Sequence, residues 1–137
     1  MKSFHKTLIA AGLMLMTALQ QAHADVVVIV SAQSTAPVLS REQIARIFEG
    51  KSHVMIPVNL ARPSPVRREF YTQFVGTDDA TLRAEWSKLL FTGKRSLPKE
   101  FTSGADMVAA VAADPNTIGY VDRSFVNMTV KVIYTVK

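Results

Sequence analysis

The chain has 137 residues, with 16 Lys and Arg against 11 Asp and Glu, a formal net charge of +5, no cysteine and 48% apolar residues. That length admits one domain, and the apolar content argues against disorder. The lack of thiols excludes disulfide scaffolds, cysteine-ligated metals and thiol nucleophiles. Lys2 and Lys6 precede an apolar run from Leu8 to Leu19, and Ala22-His23-Ala24 then sets small residues at a cut site. This is the layout of a secretory signal peptide, whose apolar stretch of about 12 residues falls short of the roughly 20 that a membrane-crossing helix needs. Residues 1–24 are therefore expected to leave, and no cysteine is present to carry a lipid anchor. What remains, residues 25–137, is expected to be one exported, periplasmic domain with a net charge of +3.

Val26 to Val30 is a continuous β-branched run, which predicts a central strand covered on both faces. Ser31 to Pro37 is small and polar, a loop. Ser40 and Gln43 form a capping box, after which Ile44, Ile47 and Phe48 share one helical face and Gly50 ends the helix. Ile56 to Leu60 reads as a second strand, with Pro57 near its start. Ser64-Pro65 opens a helix with a cap residue followed by proline at the first helical position, and Val66, Phe70 and Phe74 form its apolar stripe up to Gly76. Thr77-Asp78-Asp79 opens another helix, with Leu82, Trp86, Leu89 and Leu90 inward and Gly93 as its stop. Ala105 to Ala113 is a short helix broken by Asp114-Pro115, and Thr117 to Val121 is a strand. Met128 to Val136 alternates, placing Met128, Val130, Val132, Tyr134 and Val136 on one side. The order predicts an α/β domain: an open mixed β-sheet with crossover connections, flanked by helices, without internal repeats.

Few residues in this inventory carry catalytic chemistry. His53 is the one histidine beyond the signal, and it stands in a loop without a nucleophile elbow nearby. No histidine cluster or calcium-loop spacing suggests a metal, and Asp78-Asp79 reads as helix-start chemistry. The expected function is therefore not enzymatic and requires no cofactor. Nucleic acid fits poorly, because there is no long basic run and the aromatic residues belong to core stripes. Lys94-Arg95, after Gly93, reads as a pair of cations complementing a helix C-terminus.

The cluster that stands out is Arg62, Arg67 and Arg68 around the start of the Ser64-Pro65 helix. A helix N-terminus offers unsatisfied N–H groups and positive potential, so arginines gather there unfavourably unless an anion joins them. Ser64 Oγ, the N–H groups of Val66 and Arg67 and an arginine fork would suit a tetrahedral oxyanion. The alternative is that these arginines are simply solvated, with Arg68 and Glu69 facing water.

Several words in the sequence then fall into a familiar order. Leu39-Ser40-Arg41-Glu42-Gln43-Ile44, leading into Ile47-Phe48-Glu49-Gly50-Lys51, resembles the helix and turn of the phosphate-binding proteins of phosphate ABC transporters. Ser64 to Tyr71 resembles their phosphate-binding serine at a helix start, and Trp86, Phe91-Thr92-Gly93 and Ile118-Gly119-Tyr120-Val121 continue the pattern. The resemblance implies a type 2 periplasmic-binding fold, in which two α/β lobes close over the anion. Residues 25–137 suffice for a single lobe. The family's arginine, serine and backbone amides imply ligand roles for Arg62, Ser64 and Val66. Arg62 matches only loosely, since the intervening segment is about two residues shorter here. Pro65 replaces the family's glycine and removes one N–H, for which Arg67 would compensate. The expected partners are phosphate or a similar small oxyanion, a membrane transporter or sensor, and a homodimer or partner surface that completes the half-open site. The alternative is a periplasmic interaction protein, accessory to a membrane sensor or transporter, that has lost the ligand.

Overall fold

The computed structural model describes residues 24–93 and 95–137. The expected signal segment, apart from Ala24, lies outside the described residues, as does Lys94. Strand β1 (Val26–Ser31) is buried along its whole length, as its unbroken β-branched run implies. It sits inside a four-stranded mixed sheet of order β2-β5-β1-β6, made with β2 (Ile56–Pro57), β5 (Thr117–Asp122) and β6 (Val130–Thr135). β5 and β6 both run antiparallel to β1, and β2 is parallel to β5. Helix α4 (Gly104–Ala113) lies against β5 so closely that a Cβ on Gly119 would stand 2.6 Å from Met107 Sδ and 2.9 Å from Val111 Cγ2. The layered α/β lobe with an open mixed sheet is thus the observed fold.

Helix α1 (Arg41–Phe48) begins with the expected capping box: Ser40 Oγ accepts from Gln43 N–H, and Gln43 Oε1 accepts from Ser40 N–H at 2.8 Å. It buries Ile44, Ile47 and Phe48. Gly50 then turns the chain at φ 78°, and a Cβ there would meet the side chains of Leu89 and Trp86 from helix α3 (Asp79–Phe91). Trp86 is core, as its stripe predicts, and its indole N–H donates to Phe48 O at 3.0 Å. Phe48, Phe70 and Tyr120 close the centre: the Phe70 and Tyr120 rings stack at 4.0 Å and Phe48 meets Phe70 edge-on at 4.7 Å.

Four expectations about local structure need correction. The strand expected over residues 56–60 divides at Val58 into β2 and β3 (Asn59–Leu60), which belong to different sheets. Val58 N–H donates to Ile118 O and Asn59 N–H to Lys99 O, so the chain changes partners within one residue. β3 pairs in parallel with β4 (Glu100–Phe101), a strand too short to show periodicity. At the C-terminus β6 starts only at Val130 and its pairing with β1 slips between Val28 and Ile29, which breaks the expected alternation and leaves Met128 exposed. On α3, Leu82 and Trp86 are buried while Leu90 is 40% exposed, because nothing described here packs over the end of that helix. Finally, helix α2 (Pro65–Glu69) continues through Phe70–Val75 as a wider π-helical turn, closed by Gly76 N–H donating to Tyr71 O at 2.7 Å. Its buried face is Arg67, Phe70, Tyr71 and Phe74, whereas Val66 is only partly buried.

Candidate anion site at the Ser64 helix start

Ser64 has the extended backbone of an N-cap, and its Oγ accepts from Arg67 N–H at 3.1 Å while its carbonyl accepts from Arg68 N–H at 3.0 Å. Pro65 has no N–H to give. The Val66 N–H is therefore the first-turn donor left for a ligand, beside a Ser64 hydroxyl whose proton is still free to donate. Ser64 and Val66 line a depression of about 220 Å³ together with Thr102 and Gly104. Those last two residues flank Ser103, the N-cap of α4, whose Oγ accepts from Asp106 N–H at 3.1 Å. Sequence reasoning began that helix at Ala105 and missed this side of the depression. The signal was there in Ser103-x-x-Asp106, a cap residue with an acid three positions on.

The arginines do not converge on that depression. Arg62 donates from Nε and Nη2 to Asp79 Oδ2 and Oδ1 at 3.1 and 3.0 Å, a forked pair at the surface. Hydrogen bonds from Arg62 hold the Asp79 carboxyl below the ordinary carboxylate range, and the same pair raises Arg62. Arg67 is not solvated: its residue is 5% exposed, its Nη1 donates to Leu60 O at 2.8 Å, and its guanidinium carbon stands 5.3 Å from the Tyr71 ring centroid. Glu100 Oε1 is 3.7 Å from Nη1, and Arg67 Nε is buried without a hydrogen-bond partner among the described residues. Arg68 is exposed. Arg62, Ser64 and Arg67 line a second depression, of about 430 Å³, that Val66 does not reach. The four residues singled out from the sequence thus divide between two hollows that share the Ser64 wall.

The inward turn of Arg67 had a legible cause. Phe70, Tyr71 and Phe74 follow it at three, four and seven residues, so a helix must place it on the aromatic face. What receives it there is a polar knot. Asn59 Oδ1 accepts from Tyr71 OH at 2.6 Å and from Tyr120 OH at 3.0 Å, and Leu60 N–H donates to the Tyr120 oxygen at 3.2 Å. Burial pushes the Tyr71 phenol up and the Tyr120 phenol well up from the ordinary value. Of the second basic spot, Arg95 does not serve the end of α3. Its Nη2 donates to Ser52 O at 3.1 Å, because the chain has already turned away at Gly93 towards the loop before β2. His53 is exposed in that loop, as expected.

No family model matches the sequence, and no characterised protein matches it either. Solved structures do resemble it. A protein assigned as a phosphate ABC transporter substrate-binding protein, with bound phosphate, from Clostridium perfringens superposes on 79% of this chain with a TM-score of 0.62 at 18% identity. An ABC-type phosphate transport receptor from Vibrio cholerae and PstS from Borrelia burgdorferi each cover the same 79% with a TM-score of 0.59, at 14% and 11% identity. This chain spans 43%, 44% and 46% of those three proteins, so it corresponds to less than half of each. At such identities the likeness establishes a shared fold: a lobe like that of phosphate-transporter binding proteins.

Proposed function

We propose that this chain is a non-enzymatic, exported binding lobe for phosphate or a similar tetrahedral oxyanion, held at the start of α2. Ser64 Oγ and the Val66 N–H are the inner ligands, and Arg62 and Arg67 supply the positive field from the neighbouring hollow. The reading rests on one coincidence. A free helix-start N–H beside a capping hydroxyl lies in a lobe whose solved relative carries bound phosphate. Residues 1–24 act as the export signal and residues 25–137 as the functional unit.

Magnitudes set the expected affinity. A micromolar site needs about −8 kcal/mol, and a charge-assisted hydrogen bond supplies roughly 1.5–3 kcal/mol net. One free N–H, one hydroxyl and a screened arginine field in an open lobe reach only millimolar binding. Tighter binding calls for a second surface, from a homodimer or a membrane transporter or sensor. Calorimetry on residues 25–137 should detect phosphate in the millimolar range and lose that heat in Ser64→Ala with Arg62→Ala. Absence of heat, or an unchanged isotherm in the double variant, overturns the reading.

A specific observation favours a second reading. Both arginines already have protein partners, Arg62 in Asp79 and Arg67 in Leu60 O. In that reading the lobe is a periplasmic accessory protein that has lost its anion and docks on a membrane sensor or transporter. It predicts saturable partner capture that added phosphate does not change.

A further inference from the structure

Between α3 and the β3–β4 ribbon lies a third hollow, of about 270 Å³, whose lining is part charged and part apolar. Arg62, Arg67 and Arg83 contribute to its charged lining. Two carboxylates answer them: Asp79, forked on Arg62, and Glu100, 3.7 Å from Arg67 and half exposed. One positive charge is left in excess. Arg67 is the group that makes this a built site, since it is 5% exposed, spends Nη1 on Leu60 O and leaves a buried Nε–H without a partner among the described residues. Much of the remaining lining is apolar. Leu82 and Trp86 form its buried floor, while Leu90 and Leu97 stand 40% and 61% exposed at its mouth, apolar surface that nothing described here covers.

We propose that this hollow binds a small amphipathic monocarboxylate, its head on the Arg67 and Arg83 guanidinium groups and its apolar tail along Trp86, Leu90 and Leu97. The excess of one charge matches a monoanion, and the planar guanidinium edge suits a planar carboxylate. A tetrahedral dianion would be under-neutralised here and would leave the leucine and tryptophan wall in water. The volume fits a short chain and no more. This site is separate from the helix-start reading: Ser64 and Val66 do not line it, although Arg62 and Arg67 face both regions.

Trp86, the one tryptophan in the chain, lines both this hollow and a larger neighbour that also carries Leu97, so its emission reports a ligand in either, and Arg83→Gln, which touches only this hollow of the two, assigns the response. Titration of residues 25–137 with butanoate, pentanoate and hexanoate should shift that emission saturably, with affinity rising about fourfold per methylene. Hexan-1-ol should bind at least about tenfold more weakly for want of the charge. Arg67→Gln tests the buried head group, and because that variant risks the fold, the exposed changes Arg83→Gln and Leu97→Glu test the same site. The first should weaken hexanoate about threefold and the second about tenfold or more. The response should persist unchanged in Ser64→Ala, and phosphate should leave the emission unmoved whatever calorimetry finds for phosphate. An absent shift with hexanoate, equal responses to hexanoate and hexanol, insensitivity to Leu97→Glu, or loss of the response in Ser64→Ala each overturns the proposal.

Discussion

Arg62 and Arg67 flank one helix start five residues apart, and the two regions they occupy teach opposite lessons. Arg62 lies on the approach to α2, in water, paired with an Asp79 carboxylate that is itself more than half exposed. Such a pair contributes little, since solvent screens it and two side chains must be held still to make it. Arg67 lies one helical turn further on, among aromatic rings, where its fork satisfies the carbonyl of Leu60 at the end of β3. Its stem also packs where water is excluded, so its loss removes both packing and a hydrogen bond. Residue type is the same in both places, and burial decides what each contributes.

The sharpest test of that contrast is Arg67→Ala, which should lower stability by about 2–4 kcal/mol in urea unfolding, through the stranded Leu60 carbonyl and the lost packing on Tyr71. A loss near that of an ordinary surface change would erase the distinction between the two arginines. Next in size is an alkaline effect from the knot beside Arg67. Burial raises the Tyr71 and Tyr120 phenols in the folded chain, so the unfolded chain releases those protons first. Stability is complete below the ordinary tyrosine value near 10 and should then fall by about 1.4 kcal/mol per pH unit for each phenol as pH rises towards the folded values. Absorbance of the Tyr71 and Tyr120 phenolates should therefore grow only together with loss of near-ultraviolet circular dichroism. Phenolate from these two residues in a chain that is still folded would contradict the burial.

Smallest is the surface pair. Arg62→Ala should cost under about 1 kcal/mol, and less at high salt. Its signature is in acid: the lowered Asp79 carboxyl contributes stability above the ordinary carboxylate value, lost as pH falls through its folded value, and that limb should vanish in Arg62→Ala. If Arg62→Ala destabilises as much as Arg67→Ala, the surface pair is holding the α2–α3 corner and the comparison must be redrawn.

Much of the lobe was legible because its signals are local. The valine run of β1, the Ser40–Gln43 box, the Ser64-Pro65 start and the Asp78 cap each act within one turn or one strand, and each stands where expected. The proposed site residues are placed unevenly: Ser64 and Val66 line one hollow, while the arginines line others, because a charge cluster in sequence says nothing of which side chains a helix turns inward. The aromatic residues after Arg67 held that information, and the charge pattern concealed it.

By itself, then, the sequence determined an α/β fold class built from β-branched strand and well-capped helices, since capping and periodicity need no distant partner. Only the tertiary structure decided that residues 56–60 serve two sheets and that Glu100–Phe101 is a strand. Those outcomes depend on backbone groups forty to sixty residues away, at Lys99, Phe101 and Ile118, offering hydrogen bonds where the chain passes. A pairing of that range leaves no local pattern, because either partner alone would be equally content in water.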